Sequence, residues 1–144
     1  MCIRDRLWVG IRRNNAADVL VANSTIAQAT NLDDWTRVNH AAGTMTTGGT
    51  ANIDQIASMT VYDGLLYVGT TENNSAEIYR YTGGDQKFMK VSQAAGTIAS
   101  GGTSSIDGVV KLIQHNGDLY AGTMEPVSYT HLDVYKRQLQ NQRN

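Results

Sequence analysis

The polar side chains most able to bind a ligand recur at fixed spacings along this chain of 144 residues. Asp54 and Asp107 lie 53 positions apart, and Asn-Asn pairs occur at residues 14–15 and 73–74. Carboxylates could hold a carbohydrate hydroxyl or Ca²⁺ in an oxygen-rich pocket. Paired amide donors and acceptors suit sugar hydroxyls. The candidate ligand-binding residues are Asn14, Asn15, Thr50, Glu72, Asn73, Asn74, Thr103, Asp54 and Asp107.

Structural roles compete with binding for these residues. Asp accepts backbone N–H bonds in turns, so Asp54 and Asp107 could fix the Gly/Thr-rich segments that precede them. Asn tolerates the left-handed backbone conformation, which would explain the Asn pairs without a ligand. The sequence favours the structural role for both groups and leaves binding open.

Large aromatic residues recur within strand-like patterns, which predicts packing in a core or between repeats rather than stacking on sugars. These residues are Trp8, Trp35, Tyr67, Phe88 and Tyr120. Asp18, Glu77 and Arg80 are interpreted as solvated or cross-strand charges.

Catalytic chemistry has little support in the sequence. His40 aligns with Gln93 in the next copy and His115 with Tyr62, so both histidines break the repeat. Neither has a nucleophile or carboxylate at a recognisable spacing, which favours surface positions over catalytic bases. We therefore predict no catalytic residue, no metal ligand, no cofactor and no enzymatic activity.

The spacing reflects an ungapped internal repeat, because residues 35–70 are echoed by residues 88–123. Asp63-Gly64 separates the strand-like runs 55–62 and 65–71, and Asn116-Gly117 separates 109–115 and 118–124. Asp-Gly and Asn-Gly between such runs predict hairpins with type I′ turns. Strands at 76–81 and 87–91 complete four per period.

An earlier, incomplete copy precedes these two. Residues 7–10 match residues 66–69, and residues 14–19 match residues 73–78, at an offset of 59. From Trp35 onward the offset is 53, so the first copy carries six extra residues within 23–32.

Tandem four-stranded antiparallel units with a period near fifty residues are typical of β-propellers. The motifs L-Y-V-G-T and A-E-I-Y-R-Y resemble blades of kelch-like or related bacterial and phage propeller proteins. The resemblance implies an all-β partial propeller of about two and a quarter blades. We predict a blade remnant at 7–39, a blade at 53–93 and a partial blade at 106–125.

Both ends resemble a translated transposon mosaic-end sequencing adapter. The DNA string GATGTGTATAAGAGACAG encodes residues 133–138 in one frame and residues 1–5 in another, and its reverse complement encodes residues 127–131. We expect adapter sequence at 1–6 and 126–138, and an unrelated remnant at 139–144. Residues 7–125 then carry seven Lys and Arg against eleven Asp and Glu, a net charge of −4.

Composition and topology narrow the function. The acid excess and the absence of a long apolar run argue against nucleic-acid binding and membrane insertion. An up-and-down meander gathers the longer loops, including residues 12–16, 41–52, 72–75 and 94–105, at one end of the strands, where binding residues concentrate. We expect a non-enzymatic module that binds a glycan or protein, favoured to be extracellular, on a cell surface or on a virion, and packed against the remaining blades of a propeller. A piece of a glycan-active hydrolase or lyase and a structural spacer of a tail fibre or adhesin remain alternatives.

Overall fold

The protein is all-β in the part that the structure, a computed structural model, describes: residues 6–23, 34–83 and 87–125. The predicted adapter and remnant segments, apart from Arg6, and most of the predicted six-residue insertion lie outside these ranges. The strands are β1 (Trp8–Gly10), β2 (Val19–Ala22), β3 (Trp35–Arg37), β4 (Gln55–Tyr62), β5 (Leu65–Thr71), β6 (Ile78–Tyr81), β7 (Phe88–Lys90), β8 (Gly108–His115) and β9 (Asp118–Met124).

The strands follow the sequence repeat. The first repeat is the three-stranded sheet β1-β2-β3, the second is the meander β4-β5-β6-β7, and the third is the hairpin β8-β9. All pairings are antiparallel, and β8 joins the second repeat through one pair, Thr71 with Gly108. The prediction of four strands per period is confirmed in the second repeat. No closed barrel or propeller ring is formed by the described residues.

Both predicted hairpin turns have left-handed backbone at their two central residues. The φ angles are 49° and 75° at Asp63 and Gly64, and 50° and 86° at Asn116 and Gly117. Positive φ at both positions is what a type I′ turn requires, and its twist matches that of the flanking strands. The turns fix the strand register, in which Tyr62 pairs with Leu65.

A register shift also recurs. It lies between Ile56 and Ser58 in the β4-β5 pair and between Val109 and Lys111 in the β8-β9 pair, again 53 residues apart. An extra residue of this kind bends a strand and increases its twist. Both β4 and β8, the first strands of their repeats and here called the inner strands, are therefore bent at the same point.

Most of the buried apolar residues form two clusters, each at the contact between successive repeats. The larger cluster joins the first and second repeats and contains Ala17, Val19, Val21, Val38, Met45, Ile53, Ile56, Leu66, Val68, Tyr79 and Phe88. The smaller one joins the second and third and contains Ala76, Ile78, Ile106, Val109 and Leu112. Consecutive repeats thus pack face to face, and each repeat depends on its neighbours for a core.

One strand glycine per repeat allows this close packing. A Cβ added to Gly10 would lie 2.6 Å from Ile56 Cγ2, and one added to Gly69 would lie 2.7 Å from Val109 Cγ1. Ile56 and Val109 are equivalent positions of the inner strands β4 and β8. Only glycine allows the following inner strand to approach this closely.

Candidate functional site

The predicted binding residues gather at one end of the strands. β4 begins directly after Asp54 and β5 ends directly before Glu72, and Gln55 pairs with Thr71, so both loops lie at the same end. In the third repeat Gly108 pairs with Met124, which places Asp107 at that end as well. The tight turns at residues 63–64 and 116–117 lie at the opposite end. We call the first of these ends the loop end.

Asp54 and Asp107 each fix the loop of the preceding repeat. Asp54 Oδ1 accepts a hydrogen bond from the backbone N–H of Asn15 at 2.7 Å. Asp107 Oδ1 accepts one from the backbone N–H of Asn74 at 2.6 Å. The expected turn role is therefore present, but the carboxylates fix a loop of the neighbouring repeat rather than their own Gly/Thr-rich segment.

Main-chain hydrogen bonds reinforce each of these contacts in the same pattern. Ala17 N–H donates to the carbonyl of Ile53 at 2.9 Å, and Ala76 N–H donates to that of Ile106 at 2.9 Å. Arg13 N–H donates to the carbonyl of Asp54 at 2.9 Å, as Glu72 N–H does to that of Asp107 at 3.0 Å. The Ile-Asp dipeptide directly before β4 and before β8 is thus the acceptor site for a loop of the preceding repeat.

The two Asn pairs lie on these anchored loops and are exposed. Asn15 and Asn74 adopt left-handed backbone, with φ of 56° and 55°, as expected for Asn in a turn. Within the described part of the chain, no other residue forms a hydrogen bond with the side-chain amides of Asn14, Asn15, Asn73 or Asn74. The loops therefore hold their backbones by internal bonds and present amide groups to solvent.

Glu72 is partly buried at the loop end, close enough to two other carboxylates to feel their charge. Burial raises the pKa of Glu72 above its ordinary value of 4.5, the negative charge of Asp54 raises it further, and Asp107 adds to this effect. Backbone hydrogen bonds from Asn73 and Asp54 act in the opposite direction. Glu72 Oε2 is buried without a hydrogen-bond partner among the described residues.

Thr50 has a structural partner, whereas its repeat equivalent does not share its environment. The hydroxyl of the fully buried Tyr79 hydrogen bonds to Thr50 and to the carboxylate of Glu77. Burial raises the pKa of Tyr79, and the hydrogen bond and charge of Glu77 raise it further. Thr103 is exposed in the corresponding loop. Thr50 therefore links the loop at residues 41–52 to the buried Tyr79.

Acidic residues directly before β2 and β6 form cross-strand ion pairs with basic residues of β3 and β7. Arg37 Nε lies 2.9 Å from Asp18 Oδ1, and Lys90 Nζ lies 3.3 Å from Glu77 Oε1. Glu77 is fully buried, so the solvated interpretation was wrong for this residue and the cross-strand one was right. A buried carboxylate needs such partners because desolvation disfavours its charged form.

Sequence reasoning missed Asn39 and Ser92, which occupy equivalent positions after the last strand of a repeat. Both are buried. Asn39 Oδ1 accepts from the N–H of Val19 at 2.9 Å, and Ser92 Oγ accepts from that of Ile78 at 3.1 Å. The signal was a polar residue at the same repeat position, but the two differ in type and were not matched.

The aromatic residues divide between packed and exposed positions. Phe88 is fully buried, and Trp8 and Tyr67 pack against the two core clusters, as predicted. Tyr120 differs, since it is 51% exposed although it is equivalent to Tyr67. His115 contacts the Tyr120 ring, with centroids 6.4 Å apart, and is itself exposed.

No group of three or more His, Cys, Asp or Glu residues within the described ranges is arranged to hold a metal ion. The same residues include no helix long and apolar enough to cross a membrane. Comparisons of the chain with protein-family models, with curated proteins and with solved structures found no match.

Proposed function

We propose that this chain is a non-enzymatic binding module, built from β-propeller blades, that recognises a ligand through its loop end. The observation that carries the proposal is the pair of anchored Asn loops. Each has its backbone held by a carboxylate of the next repeat and its amide side chains exposed. Polar groups on rigid loops bind with little loss of conformational entropy.

The chemistry of the loop end favours a neutral, hydroxyl-rich ligand such as a glycan. Side-chain amides offer both donors and acceptors, which match sugar hydroxyls. Asp54, Glu72 and Asp107 lie at the same end of the strands as the amides, and their negative charge disfavours phosphates and other anions. A protein ligand is the alternative binding partner.

Substitutions that preserve the loop conformation test the proposal. Asn73→Ala removes one exposed amide, and Asn74→Gly removes another while glycine retains the left-handed backbone. The matched control is Asn116→Gly, which makes the same change at a left-handed Asn of the opposite end. Binding to an array of neutral oligosaccharides and to candidate proteins would be measured for each variant.

We expect Asn73→Ala and Asn74→Gly each to weaken glycan binding by about tenfold or more, which is the equivalent of one good hydrogen bond. Asn116→Gly should leave glycan binding unchanged. Binding to a protein but to no glycan would support the proposal of a binding module and would identify its ligand as a protein. If neither class binds, or if all three variants bind alike, the loop end has no recognition role and a structural spacer is the better account.

A further inference from the structure

We infer that the outward face of the β8-β9 hairpin, formed by Ile113, Tyr120 and Gly122, docks the inner strand of a further 53-residue repeat joined in tandem. The face continues the two interfaces already described. At each of them, an inner strand that directly follows an Ile-Asp dipeptide packs across the strand glycine of the preceding repeat. Gly122 is the third glycine of this series.

The third repeat has the residues that pack against an inner strand in the second repeat, but here these residues are exposed. In the second repeat Tyr67 packs against the core that β8 completes, and Gly69 is buried beneath Val109. The equivalent Tyr120 is 51% exposed. A Cβ added to Gly122 would contact only its own hairpin, with Lys111 Cβ at 3.4 Å.

Ile113 and Tyr120 are directly opposite each other on this face. The equivalent pair of the second repeat is Thr60 with Tyr67, so the third repeat presents a larger apolar surface than its neighbour. Ile113 is 50% exposed. Burying such side chains is the main source of binding free energy between repeats.

The turn end of the β8-β9 hairpin also carries a side chain that can contact a docked repeat. Tyr62 OH donates to the carbonyl of Gly117, in the turn of the next repeat, at 2.7 Å. His115 occupies the position of Tyr62 and contacts Tyr120 as Tyr62 contacts Tyr67. A ring N–H of His115 can serve as the donor to the turn of a docked repeat.

The test inserts a copy of residues 73–125 after Glu125 in the full chain, which preserves the 53-residue period. Amide hydrogen exchange of the inserted copy of β8-β9 measures docking. Gly122→Val places a side chain in the docking surface. Ala121→Val is the matched control, because it adds the same side chain to the opposite face of β9, where the second repeat has Val68.

We expect the inserted hairpin to be protected by about tenfold or more over its exchange in the Gly122→Val protein. Ala121→Val should retain the protection, and Gly122→Val should not lower the Tm of the chain without the insertion. Equal protection in both variants, or no protection of the inserted hairpin, would overturn the inference. So would a dimer of the uninserted chain that Gly122→Val dissociates, since the occupant would then be a second copy.

Discussion

Replacing Gly10, Gly69 and Gly122 one at a time measures how closely the repeats pack. A Cβ at Gly69 would lie 2.5 Å from Ser58 Oγ and 2.7 Å from both the Cγ1 and the carbonyl oxygen of Val109. These distances are well inside van der Waals contact, and a backbone oxygen in a bonded strand cannot rotate away. Gly69→Ala must therefore separate β5 from β8.

The three glycines give a graded series. Overpacking of a core costs roughly 1–3 kcal/mol, and the backbone contact places Gly69→Ala at the upper end of that range. Gly10→Ala meets Ile56 Cγ2 at 2.6 Å and Ile56 Cβ at 2.8 Å, and a rotamer change can move only Cγ2. The nearest backbone atom, the Ile56 carbonyl oxygen, is 3.4 Å away, so we expect about 1–2 kcal/mol. Gly122→Ala has no contact under 3.4 Å and should stay within about 0.5 kcal/mol of the parent.

Urea and thermal unfolding followed by circular dichroism would measure the series. A loss of about 3 kcal/mol corresponds to a fall in Tm on the order of 10–20 °C for a domain of this size. Intrinsic strand propensity predicts the opposite result, because Ala is no worse than Gly in a strand. If Gly69→Ala is as stable as the parent, or if Gly122→Ala loses as much as Gly69→Ala, close packing between repeats is not the reason for these glycines.

Three further substitutions probe the loop end and the core. Because the pKa of Glu72 is raised, its neutral form stabilises the fold below about pH 4.5, and this contribution is lost as the pH rises through the folded-state pKa. Glu72→Gln should therefore raise the Tm at pH 7 and have little effect on it at pH 3. A lower Tm of this variant at pH 7 would contradict the argument. Asp107→Asn should cost about 1–2 kcal/mol in urea unfolding and speed amide exchange at Asn74, whereas unchanged exchange would show that the carboxylate does not anchor the loop. Tyr79→Phe should cost about 1–3 kcal/mol because it leaves the buried Glu77 without the hydroxyl, and a stability equal to the parent would refute that role.

Much of the fold could be predicted from the sequence because its signals are local. Asp63-Gly64 and Asn116-Gly117 specify turns through backbone conformation alone, and the strand boundaries follow within a few residues. The contacts between repeats could not be predicted, since Gly69 meets Val109 and Asp107 meets Asn74 over 40 and 33 positions of sequence. The repeat marked these residues as special without showing what they contact.

The candidate site was predictable in position and less so in chemistry. Topology alone placed the loops at one end of the strands. The burial of Glu77 could not be predicted, because a charged residue at the start of a strand has the same sequence signature whether it faces solvent or an ion-pair partner on the next strand.

The proposed binding at the loop end and the packing between repeats share Asp54 in the second repeat and Asp107 in the third. Asp107 belongs to the third repeat, yet it fixes the backbone of Asn74, whose amide the second repeat presents to solvent. The proposed ligand surface of one repeat would therefore be completed by the docking of the next. Asp107→Asn should lower both stability and ligand affinity, although Asp107 need not touch the ligand. Asn73→Ala should lower affinity alone, because none of the hydrogen bonds to other described residues uses its side chain. If Asp107→Asn destabilises the fold and leaves affinity unchanged, the two properties are independent and the anchored loop is not the recognition element.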